Sequence, residues 1–336
     1  MSAYLREYLY ADVDKIRSLA GQLMEGVPEE SRTTEKRVKQ LSLGIKAVAG
    51  SANDWASEEY VNKSLADSLF ATLEDILESE GWLQDISDVL MAAETDLTNL
   101  SDSYPPAQLV RITGPGVLFD ARLVARVLSG LAAAGDGVAA LIRSENQSGP
   151  KNSQGAGRKN HQKQQVTTPD ADTLEAMILD FDPAALGLNA QFLRSIVKVS
   201  RGVFSPGVHL MLTPRGDDIT ITARLQEGRK YLETDPEILF SRYGTARQTW
   251  TLVGSIGAYS QSVSSSDLDQ HSFMEGDTIS RSKFAGYINK FMQLIGYQGL
   301  ADMPQFPGFS IVPLAAYRTI VGPRLVEIEK QGEARV

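Results

Sequence analysis

The sequence predicts an α+β fold: a mostly helical, acidic N-terminal half with one hairpin, and a C-terminal half with a small antiparallel sheet flanked by helices. Three observations predict it. Apolar residues recur at helical spacing through most of the first 146 residues. β-prone runs bounded by Pro and Gly cluster after residue 200. A polar stretch with Val166 as its single large apolar residue separates the two. The 336 residues therefore divide into an acidic, mainly helical domain over 1–146, a flexible polar basic linker over 147–170, an α+β domain over 171–322 and a charged tail over 323–336.

The elements follow in order. Arg6 to Tyr10 alternates as a short strand, and Asp12 or Asp14 caps the helix that carries Val13, Ile16, Leu19, Ala20 and Leu23 on one face. A second helix spans about 29–49. A third starts at Ser57, presents Leu65, Leu69, Leu73 and Ile76, and ends at Gly81. A further helix covers about 87–100. Gln108 to Thr113 and Val117 to Asp120 flank Gly114-Pro115-Gly116, whose chemistry is that of a type II turn, so a hairpin is expected there, followed by a small-residue helix to about Ile142.

After the linker, Asn189 to Val203 reads as a helix with Phe192, Ile196 and Val199 in line. Strands at 208–213 and 219–225 are joined through Pro214-Arg215-Gly216-Asp217. A short helix runs from Pro236 to Tyr243 and stops at Gly244, and Trp250 to Tyr259 is a strand. Asp277 is placed to cap a helix over 279–295, whose Phe284, Ile288, Phe291, Met292 and Ile295 recur at helical spacing. A last strand covers 309–320, with Pro313 marking an edge or a bulge.

Charge is uneven along the chain. The net −9 sums a −10 segment over 1–146, a +3 linker and a −2 remainder. Residues 47–110 hold 13 acids and one base, Lys63. Asp54, Glu58, Glu59, Asp67, Glu74, Asp75 and Glu78 are the candidate surface for a protein partner, a basic one by charge complementarity. Direct nucleic-acid binding by this half is disfavoured, because like charge repels phosphate; only Lys151, Arg158, Lys159 and Lys163 of the linker offer phosphate contacts.

The composition narrows the chemistry. Without cysteine there is no disulfide, no thiol nucleophile and no Cys-ligated zinc. His161, His209 and His271 are the three histidines, and none accompanies a nucleophile elbow. Asp217, Asp218 and Glu227 loosely resemble a metal-dependent nuclease site, although Arg229 stands where that pattern has lysine and the aspartates sit in a turn. No cofactor motif is present, so neither cofactor nor metal is expected, and the reading leans away from an enzyme. There is no signal peptide and no apolar run of spanning length, which points to the cytoplasm and against membrane insertion.

Two runs carry a resemblance. Arg6-Glu7-Tyr8-Leu9-Tyr10-Ala11-Asp12 opens the chain, and Ile311-Val312-Pro313-Leu314-Ala315-Ala316-Tyr317-Arg318 closes it. Together with Trp250-Thr251-Leu252-Val253-Gly254 they resemble an uncharacterised prokaryotic domain-of-unknown-function family with a Tyr-Leu-Tyr-x-Asp opening and a Val-x-Pro-x-x-x-Tyr-Arg strand. The resemblance implies a bacterial protein with an accessory role in anti-phage defence or mobile elements. It assigns no catalytic residue. The functional expectation is a non-enzymatic binding or regulatory protein acting through a protein partner. A nucleotide-sensing protein and a metal-dependent nuclease effector are the alternatives.

Overall fold

The alternating run at the N-terminus forms β1 (Leu5–Ala11) in the computed structural model, which describes residues 5–26, 67, 69–128, 130–131, 134, 189–264, 268 and 273–320. Asp12 ends the strand and caps α1 (Val13–Gly26): its carboxylate accepts the Lys15 backbone N–H at 3.1 Å and the Tyr10 hydroxyl at 3.3 Å. A second helix, α2 over 69–79, stops at Gly81, whose φ of 77° is the left-handed conformation glycine accepts without penalty. There follow β2 (Leu83–Asp85), the short helices α3 (Ser87–Met91) and α4 (Leu100–Ser103), β3 (Leu109–Phe119) and α5 over 121–128. Then come α6 (Ala190–Val203), β4 (His209–Leu212), β5 (Thr220–Arg224), α7 (Pro236–Tyr243) and β6 (Gln248–Tyr259). The hairpin β7 (Met274–Glu275) and β8 (Thr278–Ile279), α8 (Arg281–Tyr297) and β9 (Gly308–Ile320) complete the described chain.

The architecture corrects the predicted fold class. β3 pairs with β4 and β6, β4 with β5, β5 with β9, and β9 with β6, so five strands close into a barrel. β5 and β9 run parallel and the other four pairings are antiparallel. β1 extends the sheet along β9, and β2 runs parallel to β3. The expected helical N-terminal half is therefore not what forms: its first described element is β1, and its β3 of 11 residues is a barrel strand. Nor is the sheet a small feature of the C-terminal half, because β1, β2 and β3 belong to the same seven-stranded sheet.

The predicted hairpin at Gly114-Pro115-Gly116 is a second correction. β3 passes straight through it, with burial alternating at every step from Val110 to Leu118. Both glycines fall on the buried side. A Cβ at Gly116 would lie 2.6 Å from Leu212 Cδ2 and 2.8 Å from the Met211 carbonyl, so glycine is what lets β4 close on β3. Pro115 lacks a donor, but its carbonyl accepts the Thr213 N–H at 2.8 Å.

Two cores share the barrel wall. Leu252 and Ala316 face the barrel core with Val110, Ile112, Leu210, Ile221 and Trp250, while the adjacent Val253, Ala315 and Tyr317 face α1 and α2. Residues 250–254 are buried without interruption because both faces of β6 are covered. Pro313 marks a bulge rather than an edge: the β6–β9 register slips between Val253 and Gly254, opposite Pro313 and Ala315.

Smaller expectations shift. The helix predicted over 87–100 is two short helices joined by an extended Ala92 and the Asp96 turn. α6 buries Leu193, Val197 and Ser200, leaving Phe192 and Val199 of the predicted face exposed. Asp277 sits between β7 and β8, and Ser280 occupies the N-cap position of α8. The helix expected over 29–49, the linker at 147–170 and the tail at 323–336 lie outside the described residues.

Candidate functional site

The predicted acidic surface is partly interior. Glu74 on α2 is 0 % exposed. Its Oε1 accepts from Arg111 Nε and from the Tyr317 hydroxyl, both at 2.8 Å, and Arg6 Nη2 lies 2.9 Å from its Oε2. Arg111 also reaches Glu78 at 2.7 Å and Asp85 at 3.5 Å. The Arg111 hydrogen bond holds the Glu78 carboxyl below the usual carboxylate range. This charge cluster fastens α2 to β1, β3 and β9, so Glu74 and Glu78 are engaged within the molecule. Asp67 and Asp75 are half-buried, and Asp54, Glu58 and Glu59 lie outside the described residues, as do the four linker cations.

The nuclease trio does not converge. Asp217 and Asp218 are exposed in the turn at Gly216–Asp218, where Arg215 Nε donates to Asp218 at 3.2 Å. That turn joins β4 to β5 beside the Leu212–Ile221 pair, whereas Glu227 follows the opposite end, past the His209–Arg224 pair, and is ion-paired with Arg122. Among the described residues no group of three His, Cys, Asp or Glu could hold a metal ion. His209 is buried, with Nδ1 3.0 Å from the Gly207 carbonyl and Nε2 3.2 Å from Asp302. His161 and His271 lie outside the described residues.

The residues of the opening and closing runs meet on one seam. Glu7 pairs with Arg318 and Tyr8 with Tyr317 across β1 and β9. Arg318 donates to Glu7 at 2.6 Å and lies over the rings of Tyr243 and Trp250, 4.6 and 5.4 Å from their centroids. Tyr8 packs edge-on against Phe70 and at a tilt against Tyr317. These contacts are packing and cross-strand pairing, the physical work of a structural seam.

Two features on the excursion between β6 and β9 were not foreseen as sites. The first is α8. Its predicted apolar stripe exists, yet of its 17 residues only Gly296 is buried. Phe284, Ile288, Phe291 and Met292 are exposed, Phe284 and Phe291 each by 41 %. The β7–β8 hairpin adds the exposed Met274 and Ile279, and Phe273 packs edge-on against Phe284 at 5.3 Å. The polar positions of α8 carry Arg281, Lys283 and Lys290, and the helix has no acid. Lys283 is paired with Glu275 of the hairpin at 2.8 Å. The result is an apolar strip bordered by cations.

The second feature is a cavity of about 510 Å³ where the chain returns to β9. Leu97 and Leu100 of the α4 region, residues 257–262 at the end of β6 and just past it, and Phe306 to Phe309 line it. Tyr297 in the last turn of α8 stacks near Phe306, with ring centroids 6.2 Å apart. The spacing of Phe284, Ile288 and Phe291 signalled an amphipathic helix, but no local pattern signalled a cavity walled by three distant segments. No helix among the described residues is long and apolar enough to cross a membrane.

No curated protein and no solved structure matches this chain. The family described as Domain of unknown function (DUF6414) matches residues 5–317, nearly the whole sequence, and the chain belongs to that family.

Proposed function

We propose that this protein is a non-enzymatic binding and regulatory protein that acts through a protein partner, and that the partner takes the face of α8. The observation that carries this reading is the exposed stripe of Phe284, Ile288, Phe291 and Met292 on a helix that carries three cations and no acid. A contiguous apolar strip rimmed by charge is the usual form of an interaction surface. An amphipathic helix offered in this way fits an apolar groove with an acidic rim, the helix-in-groove mode. That the partner belongs to a bacterial defence or mobile-element system is part of the same proposal and rests on the family resemblance. The nucleotide and nuclease readings draw less support: the cavity is lined by no cation, and Asp217 and Asp218 stand apart from Glu227.

The test is affinity capture from the native host with the wild type and with a Phe284→Ser, Phe291→Ser double variant. Both side chains are partly exposed and Phe284 packs on Phe273, so the variant should keep its fold while losing about 1–2 kcal/mol. The expected result is a stoichiometric partner that is held by the wild type, lost from the variant, and weakened as salt rises. Identical partners on both proteins would overturn the assignment to α8.

A further inference from the structure

We propose that the cavity beneath the return to β9 binds an uncharged, ring-bearing small molecule with hydrogen-bonding groups on its edge, of the size and chemistry of a nucleoside. Its volume of about 510 Å³ lies within the range of small-molecule sites. The walls come from three segments far apart in the chain, so the barrel and its excursion have to fold before the space exists.

The lining decides the class of ligand. None of its fifteen residues is an acid, a lysine, an arginine or a histidine. Its one ionisable group, the Tyr259 phenol, donates to the Tyr104 carbonyl at 2.7 Å, and burial pushes it up to about 12, so that wall stays neutral. A bound phosphate would leave water with no cation to meet it, a cost that neutral ligands avoid. Rings supply the apolar surface: Tyr259 packs on Phe309 at 5.1 Å, and Phe306 is half-exposed beside them. The Ser101 and Ser262 hydroxyls and the Gln261 amide line the space on exposed residues, where water reaches them. A purely apolar ligand would strip water from those groups and return nothing, whereas a ring with donors and acceptors on its edge satisfies them.

Calorimetric titration of the full-length protein with adenosine, guanosine, cytidine and uridine, and with their 5′-monophosphates, tests this. At least one nucleoside should bind, and its monophosphate should bind at least about tenfold more weakly. Ser262→Trp should fill the space and weaken nucleoside binding by about tenfold or more. Ser101→Arg, at an exposed position of α4, should narrow the gap between nucleoside and monophosphate by supplying a cation. The α8 double variant Phe284→Ser, Phe291→Ser should bind the nucleoside as the wild type does, which separates this site from the partner surface. Silence from all four nucleosides, equal binding of a nucleoside and its monophosphate by the wild type, or wild-type behaviour of both cavity variants would each overturn the proposal.

Discussion

Arg111→Met is the sharpest test of the charge cluster that joins α2 to the sheet. Arg111 is 12 % exposed and Glu74 is 0 % exposed, so the pair is held away from water. The substitution keeps most of the side-chain volume and removes the guanidinium. Glu74 then loses a hydrogen bond of 2.8 Å, Glu78 one of 2.7 Å, and Asp85 its 3.5 Å contact. Breaking a buried pair from one side costs about 3–5 kcal/mol, because the remaining charge stays desolvated. Arg6 at 2.9 Å and the Tyr317 hydroxyl at 2.8 Å still serve Glu74, so the expected loss is at the lower end, about 3 kcal/mol. The control is Glu78→Gln, which removes a carboxylate 54 % exposed and should cost less than about 1 kcal/mol. Urea unfolding measures both, and the midpoint should fall for Arg111→Met with the slope unchanged. If Arg111→Met costs no more than Glu78→Gln, the buried pair does not hold α2 to the sheet and the reasoning fails.

Two further tests address backbone closeness and pH. In Gly254→Ala the new Cβ would stand 2.4 Å from the Val312 carbonyl and 3.0 Å from Pro313 Cα, both backbone, so about 3 kcal/mol should be lost. Gly21→Ala meets nothing within 4 Å inside α1 and should add about 0.5–1 kcal/mol; midpoints moving in the same direction would contradict the close β6–β9 approach. Hydrogen bonds from Lys230 hold the Asp14 carboxyl below its ordinary value, as those from Arg111 do for Glu78. A folded-state value below the unfolded one adds stability that is complete above the unfolded carboxylate range, about 4, and is lost as pH falls through the folded value. The Asp14→Asn, Glu78→Gln double variant should therefore show a shallower loss of stability in acid than the wild type, and an unchanged or steeper loss would refute the sign.

Much of the local structure was readable from local chemistry. The helix expected from Asn189 starts there, with Asn189 accepting the Gln191 and Phe192 N–H groups, while Pro236 opens α7 and Gly244 with φ 67° closes it. What escaped was non-local. Gly-Pro-Gly at 114–116 is turn chemistry when only its neighbours are considered. It becomes strand because β4 and β6 pair with it from both sides, and those partners lie about a hundred residues or more away in the chain. The closed barrel follows from the same pairings. No single strand signals that its two faces are both covered, although the unbroken apolar run at 250–254 is the trace such burial leaves.

The candidate sites show why charge and periodicity needed the third dimension. Glu74 and Glu78 counted as surface acids because the sequence around them holds almost no base, yet their partner Arg111 arrives 37 and 33 residues later, across the sheet. An acid-rich segment therefore overstates the charge available to a partner by whatever number of its acids the fold pairs internally. The stripe on α8 carries the converse lesson. Phe284, Ile288, Phe291 and Met292 repeat as a core face would, and helical spacing reports only that one side of a helix is apolar. What covers that side is set by the rest of the chain. Here only Gly296 of α8 is buried and Ile295 is half-buried, so Phe284, Ile288, Phe291 and Met292, which looked like interior, are the exposed surface on which the partner proposal stands.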